Sequence, residues 1–268
     1  MTFKNFIMAA FFRPSPKMNI WKSVYFNFKV LPARQAIHLP IHLYGKWNFR
    51  FLRGKIKIPL EQVKFGSYRF GFDTAGYFTY CISTISIHKG SKIELGEGVR
   101  IGQGVQICLY PNATLRIGNF SSLGDNVKCI CYQSIVVGKS ADITWDCQIT
   151  DFNSHYMLDR KSNSIPNICK PVNIGDYCWI CNKTLVMPGT ILPNRVVVAA
   201  SSLLNRNYIK INIQEGSLIG GIPAKLIKTG VYRIYNREDE CSLKLYFKKT
   251  NECRYKLTSK KSSIEFEE

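Results

Sequence analysis

Carboxylates are missing from the first 60 residues, a stretch that holds 11 Lys or Arg and no Asp or Glu. Histidine is scarce throughout: four in 268 residues, at 38, 42, 88 and 155. A zinc centre built on three converging histidines is therefore excluded, since only His155 follows His88. Long apolar runs are lacking too. Phe6 to Phe12 is the one early apolar segment, and Arg13 and Pro14 end it. It is too short to cross a bilayer and no small-residue cleavage site follows, so a secreted or membrane-spanning protein is not expected. The ten cysteines include no pair of Cys-x-x-Cys motifs at zinc spacing. Cys129-Ile-Cys131 and Cys178-Trp-Ile-Cys181 each stand without a partner motif.

What is present is a beat of six. From Ile174 an aliphatic residue returns at Ile180, Val186, Leu192, Val198 and Leu204, and a smaller one four places after each, at Cys178, Thr184, Thr190, Val196 and Ser202. A helix repeats every 3.6 residues and a strand every two, so this period fits neither. It predicts a parallel β-helix of hexapeptide rungs, each short strand turning a corner and pointing one aliphatic side chain inward. The beat also runs through Leu95, Ile101 and Ile107, breaks at Leu109 to Leu115, and resumes at Ile117, Leu123 and Cys129. A two-residue slip leads to Val137, Ile143 and Ile149.

Glycines 96, 102, 118, 124, 138 and 175 follow inward aliphatics. They are expected at corners that need φ > 0 or leave no room for a Cβ. Cys108, Cys129, Cys147, Cys178 and Cys181 stand where other rungs hold Gly, Ala, Ser or Val, so they read as packing residues in a reduced, cytosolic protein.

The expected organisation is a basic, aromatic leader with the first irregular coils over 1–86, a β-helix over 87–230, and a tail over 231–268. The leader interleaves cations with aromatics, as in Trp21-Lys-Ser-Val-Tyr-Phe-Asn-Phe-Lys29. Two readings stand side by side: peripheral contact of residues 1–60 with the inner face of an anionic membrane, and a cover for the open first rung. The net charge of +19 calls for anionic company, but no nucleic-acid module is present and no nucleic-acid partner is expected. Within the β-helix one long excursion, 151–173, loses the beat and is polar. A loop of that length in a compact repeat array is a candidate functional element.

His155 lies on this excursion, with Asp151 and Asn153 four and two places before it. In extended backbone these side chains share one face. A carboxylate and an amide beside an imidazole would fix its tautomer and raise its basicity, as a general base near neutral pH requires. A plain surface histidine is the alternative.

The rungs, Asp151-Phe-Asn-Ser-His155, Pro171-Val-Asn-Ile-Gly-Asp-Tyr-Cys-Trp179 and Gly221-Ile-Pro-Ala-Lys225 together resemble the hexapeptide-repeat acyltransferases, specifically sugar O-acetyltransferases of capsule and O-antigen assembly. The resemblance spans about Ile87 to Tyr232. It implies an all-β fold of the left-handed parallel β-helix type, a homotrimer, acetyl-CoA in a cleft between neighbouring helices, a glycan acceptor and no metal. By position, His155 corresponds to the family's base, and Asp151 and Asn153 to the polar residues before it. Trp179, Asn182, Ala200, Lys225 and Lys228 correspond to cofactor-binding positions, with Trp179 walling the site, Asn182 near the thioester and the lysines at the CoA phosphates. Two departures stand out. Asn153 replaces a frequent Asp, and Cys181 replaces a usual Gly. N-acetylation of an amino sugar and a non-catalytic structural β-helix are the alternative functions.

Overall fold

The computed structural model describes residues 17–72, 81–250 and 252–255. The Phe6–Phe12 segment, with Lys4 and Arg13, lies outside them. The chain divides into two units, 1–231 and 232–268.

The first unit is a left-handed parallel β-helix, a triangular prism whose three faces are parallel sheets. The first face stacks Lys46–Leu52, Ile82–Ile87, Gln106–Leu109, Lys128–Cys131, Gln148–Thr150, Leu185–Val186 and Leu203–Leu204. The second stacks Lys55–Lys57, Lys92–Leu95, Thr114–Ile117, Ser134–Val137, Val172–Ile174 and Ile191–Leu192. The third runs from Arg100–Ile101 through Ser122–Leu123, Asp142–Ile143, Trp179–Ile180 and Val197–Val198 to Leu218–Gly221. There the antiparallel strand Ala224–Lys228 closes it.

Each rung places its aliphatic residue on the axis. Ile174, Ile180, Val186, Leu192, Val198 and Leu204 are all 2% exposed or less, and so are Cys178, Thr184, Thr190, Val196 and Ser202. Burying one such aliphatic chain stabilises by about 1.5–3 kcal/mol, which is why a beat of one per side suffices to hold very short strands. Of the cysteines expected to pack, Cys129, Cys147 and Cys178 are buried, whereas Cys108 and Cys181 are only half-buried. Burial pushes the Cys147 and Cys178 thiols up to about 12, far from the thiolate a nucleophile needs.

The second-to-third and third-to-first corners are tight. On five successive coils each contains one residue with positive φ, such as Phe120, Ser140 and Tyr177 at the former and Asn126, Asp146 and Lys183 at the latter. That conformation aims the backbone N–H at the coil below: Ser140 donates to the Asn119 carbonyl at 2.7 Å and Asp146 to that of Asp125 at 2.9 Å. Of the two reasons expected for the corner glycines, lack of room for a Cβ is the one that holds. A Cβ on Gly118 would lie 2.6 Å from the Gly138 carbonyl carbon, and one on Gly175 would lie 2.7 Å from the Asn194 nitrogen.

The first-to-second corner is loose. Inward residues Ile85, Ile107 and Cys129 lie in register but 22 residues apart, against 18 from Val186 to Leu204. The interruption of the beat at Leu109 to Leu115 is this longer corner. The excursion is the same corner again, grown into an arm of residues 151–171 between the strands ending at Thr150 and starting at Val172.

Coils stack earlier than residue 87, because Lys46–Leu52 already pairs with Ile82–Ile87. Over this first coil sits helix α1 (Ile20–Val30), capped by the Asn19 side chain, which accepts from the Lys22 amide. Its inward stripe is Ser23, Phe26, Asn27 and Val30, the spacing of one helix face. The buried Asn27 amide donates to the Ser23 and Ile41 carbonyls and accepts from the Ile41 amide, locking the helix to the strand Ile41–Leu43. A short helix, α2 (Ala33–Ala36), follows. The opposite face of α1 exposes Trp21, Tyr25 and Phe28.

In the second unit, helix α3 (Arg237–Thr250) has Glu238, Asp239 and Glu240 in its first turn and Lys248 and Lys249 in its last, each sign facing the helix-dipole end that favours it.

Candidate active site

The arm starts at a bend fixed by Asp151. This carboxylate is fully buried and accepts three backbone N–H groups of the corner on the coil below, from Tyr132 at 2.7 Å, Gln133 at 2.7 Å and Ser134 at 2.6 Å. The Cys131 thiol donates to the same carboxylate at 3.7 Å. These donors are the orphan amides of a turn that lacks a φ > 0 residue to aim them, and a carboxylate is the one side chain that can accept all of them.

Above the bend the arm is a narrow antiparallel loop. Phe152 pairs with Cys169, the Asn153 amide donates to the Ile168 carbonyl at 2.9 Å, and the Lys170 amide donates back to Asp151 at 2.8 Å. At the tip Asp159 and Ser164 exchange two backbone bonds, and the Asp159 carboxylate accepts from the Ser162 hydroxyl and the Lys161 amide, which hold its pKa below the usual carboxylate value.

Asn153 is half-buried at the foot and His155 is exposed on the ascending side. The expectation that the Asp151 carboxylate stands beside the imidazole is corrected here. The backbone bends at Asp151, its oxygens are taken by the turn, and no hydrogen bond joins it to His155 among the described residues. It holds the foot of the arm on which the imidazole rides.

The other candidate residues lie elsewhere on the prism. Trp179 is half-buried on the third face, between Asp142 and Val197 of the adjoining coils. Asn182 and Ala200 stack on successive coils at the third-to-first corner, where the Ser201 amide donates to the Asn182 carbonyl at 2.9 Å. Asn182 stands in the file of Asp125, whose carboxylate caps the Gln103 amide of the coil beneath it at 2.9 Å. Lys225 and Lys228 are exposed on the closing strand, opposite Gly220 and Leu218. The five cofactor candidates thus share the third face and its corner, and the histidine arm leaves the far edge of the first face. One copy of the chain does not bring the two sets together.

The other histidines are remote from the arm tip. His42 is buried in the cap against Phe65, with ring centroids 4.4 Å apart, and its pKa is lowered by burial. His88 lies in a row of aromatic rings that ends at Phe152. Sequence reasoning passed over this row. Its signal was an aromatic or imidazole ring returning every 22 residues, at His88, Tyr110 and Tyr132, a period hidden beneath the stronger six.

No protein-family model matches the sequence. The chain is 29% identical over 160 residues to the Escherichia coli (strain K12) protein named "Putative lipopolysaccharide biosynthesis O-acetyl transferase WbbJ", a match covering 57% of this chain and 76% of that one. Among solved structures it is similar to the polysialic acid O-acetyltransferase OatWY, with 17% identity, 75% of this chain and 99% of that chain covered, and a TM-score of 0.46. It is also similar to AntD, an N-acyltransferase from Bacillus cereus in complex with dTDP and 3-hydroxybutyryl-CoA, with 14% identity, 80% and 89% coverage and a TM-score of 0.37.

Proposed function

We propose that this chain is a hexapeptide-repeat acyltransferase that transfers an acetyl group from acetyl-CoA to a sugar hydroxyl of a surface polysaccharide or its precursor. The observation that carries the reading is the arm: a polar excursion from an otherwise regular prism, footed on a buried carboxylate and presenting His155 to solvent. His155 takes the proton of the sugar hydroxyl as its oxygen attacks the thioester carbonyl. Backbone N–H groups along a rung hold the oxyanion, the C–O bond forms, and the C–S bond breaks as CoA leaves with a proton. Asn153 orients the foot beside the imidazole, and Asp151 acts through the backbone as a positioning residue. No acyl-enzyme is needed, and the buried thiols of Cys147 and Cys178, held in the protonated form, are unsuited to forming one.

The division of the candidates between two corners supports a homotrimer in which the arm of one copy meets the third face of the next. Exposed Tyr156, Met157, Leu158 and Ile165 on the arm fit that contact. Trp179, Asn182 and Ala200 then line the pantetheine path, and Lys225 and Lys228 meet the CoA phosphates as exposed ammonium groups. Among the described residues no helix is long and apolar enough to cross a membrane. The outward face of α1, with Trp21, Tyr25 and Phe28 beside Lys17, Lys29 and Arg34, supports peripheral contact with an anionic surface.

The test is an acceptor screen with purified protein and acetyl-CoA, following thiol release. With the acceptor found, His155→Ala lowers turnover by about 10²–10⁴-fold and leaves thermal unfolding unchanged. Turnover that survives the substitution removes the base assignment.

A further inference from the structure

The loose corner carries a feature that acetyl transfer does not use. Phe51, His88, Tyr110, Tyr132 and Phe152 sit at the ends of successive first-face strands and form a continuous row of rings. Centroids are 4.6 Å apart for Phe51 and His88, 6.0 Å for His88 and Tyr110, 5.1 Å for Tyr110 and Tyr132, and 5.2 Å for Tyr132 and Phe152. The row climbs one coil at a time, roughly 4.8 Å per step, and ends three positions before His155.

These rings are not core. Phe51 is 41% and Tyr132 43% exposed, and the other three are half-buried. On the adjoining first face lies a hollow of about 360 Å³ lined by Asn48, Arg50, Thr84, Ser86 and Gln106 among others. Around row and hollow stand exposed cations: Arg50, Arg53, Lys89 and Lys128. The Arg53 guanidinium lies 5.6 Å over the Phe51 ring. Among the described residues of this face and corner up to Phe152, the one carboxylate is Asp151, buried and bonded to the turn.

We infer that the row and its hollow form a docking track for an extended acidic glycan, one bearing carboxylate or phosphate groups, whose far end reaches the arm. The inference rests on the proposed function and names its acceptor class. A pyranose offers an apolar C–H face and a rim of hydroxyls. Rings with an apolar body and, in Tyr, a polar edge suit the face, and the amide and hydroxyl side chains of the hollow suit the rim. A repeat of one ring per coil is close to one sugar of an extended chain. The surrounding cations, without an exposed carboxylate, select for anionic sugars.

The experiment is calorimetric binding to the full-length protein of oligogalacturonides of graded length, with maltooligosaccharides of the same lengths as neutral probes. Affinity for the acidic series rises with length, and the neutral series binds more weakly at every length. Tyr132→Ala and Phe51→Ala each weaken the longest acidic probe by about tenfold and leave galacturonate monomer and acetyl-CoA binding unchanged, while Tyr132→Phe binds like the parent. Absence of length dependence, equal binding of the neutral chains, or unaltered affinity in both alanine variants overturns the inference. A changed oligomeric state by light scattering, with glycan affinity intact, assigns the row to a second copy instead. Binding is read without turnover, so its length dependence is measured whether or not an acetyl acceptor is found. A failed acceptor screen and a failed track are therefore told apart.

Discussion

The corners of the prism obey two rules. At the second-to-third and third-to-first corners, Gly98, Phe120, Ser140, Tyr177 and Arg195 form one file of positive-φ residues, and Gly104, Asn126, Asp146, Lys183 and Ser201 form another. Each member of the files above the lowest donates its N–H to the coil below, so the corners are zipped by backbone bonds, and one extra residue would unzip two coils at once. At the first-to-second corner that file is interrupted. Gly90, Asn112 and Gly189 have positive φ, and the Asn112 and Gly189 amides donate to the Lys89 and Lys170 carbonyls, but the turn at 132–134 has no positive φ, and its amides are collected by a side chain from the coil above. A corner held by one carboxylate is free to vary in length. Rings and arm are both attached there, so the regular part of the prism supplies rigidity and the irregular corner carries the proposed base and the proposed track.

Removing the carboxylate strikes that difference hardest. Asp151→Ala takes the buried acceptor away from three backbone amides, and destabilises by about 3–5 kcal/mol in urea or thermal unfolding. Asp151→Asn keeps one good acceptor oxygen and costs less than Ala. Turnover in both falls with the loss of arm placement. A neutral outcome for Asp151→Ala would mean that the loose corner has other support and does not depend on this one carboxylate.

The tight corners break by a different route. Gly118→Ala sets a methyl 2.6 Å from the carbonyl carbon of Gly138, backbone against backbone, with no flexible side chain to yield. The coils separate locally, at a cost of about 2–3 kcal/mol. Gln133→Ala, an exposed side chain at the loose corner, stays within about 0.5 kcal/mol of the parent. Paired denaturation curves of the two variants measure the contrast directly.

How much of this is legible in the residues alone depends on which side of the chain a feature faces. The inward set Ile174 to Leu204 is legible because a packed axis admits one aliphatic per side, and a fixed spacing is the only way to deliver it. The corner glycines are legible as corners, but not as close approaches, because the same letter serves φ > 0 and lack of space. Asp151 misleads. Its spacing to His155 implies a shared face only if the backbone stays extended, and the bend that breaks this is made by bonds to Tyr132, Gln133 and Ser134, some 17–19 residues earlier. The row of rings faces outward on a period set by corner length, so a search at the inward period passes over it. The separation of His155 from Ala200 follows from counting sides around the prism, a count that needs the length of every loose corner first.

The smallest effect reverses the usual sign. Lys183 holds φ at +61° at a tight corner, exposed, and its amide donates to the Trp145 carbonyl at 3.2 Å. A side chain there carries left-handed strain of about 1–2 kcal/mol, and glycine relieves it while giving back part of the gain through the greater freedom of the unfolded chain. Lys183→Gly therefore stabilises by about 0.5–1 kcal/mol, seen as a small rise in the unfolding midpoint. The same exchange at Gln133, where φ is not positive, has only the entropic cost, destabilises by about 0.5–1 kcal/mol and lowers the midpoint. If both glycine variants move the midpoint the same way, the two kinds of corner are not distinguished by backbone conformation. The side-chain caps, Asp125 and Asp176 at the tight corners and Asp151 at the loose one, would then have to account for the whole difference.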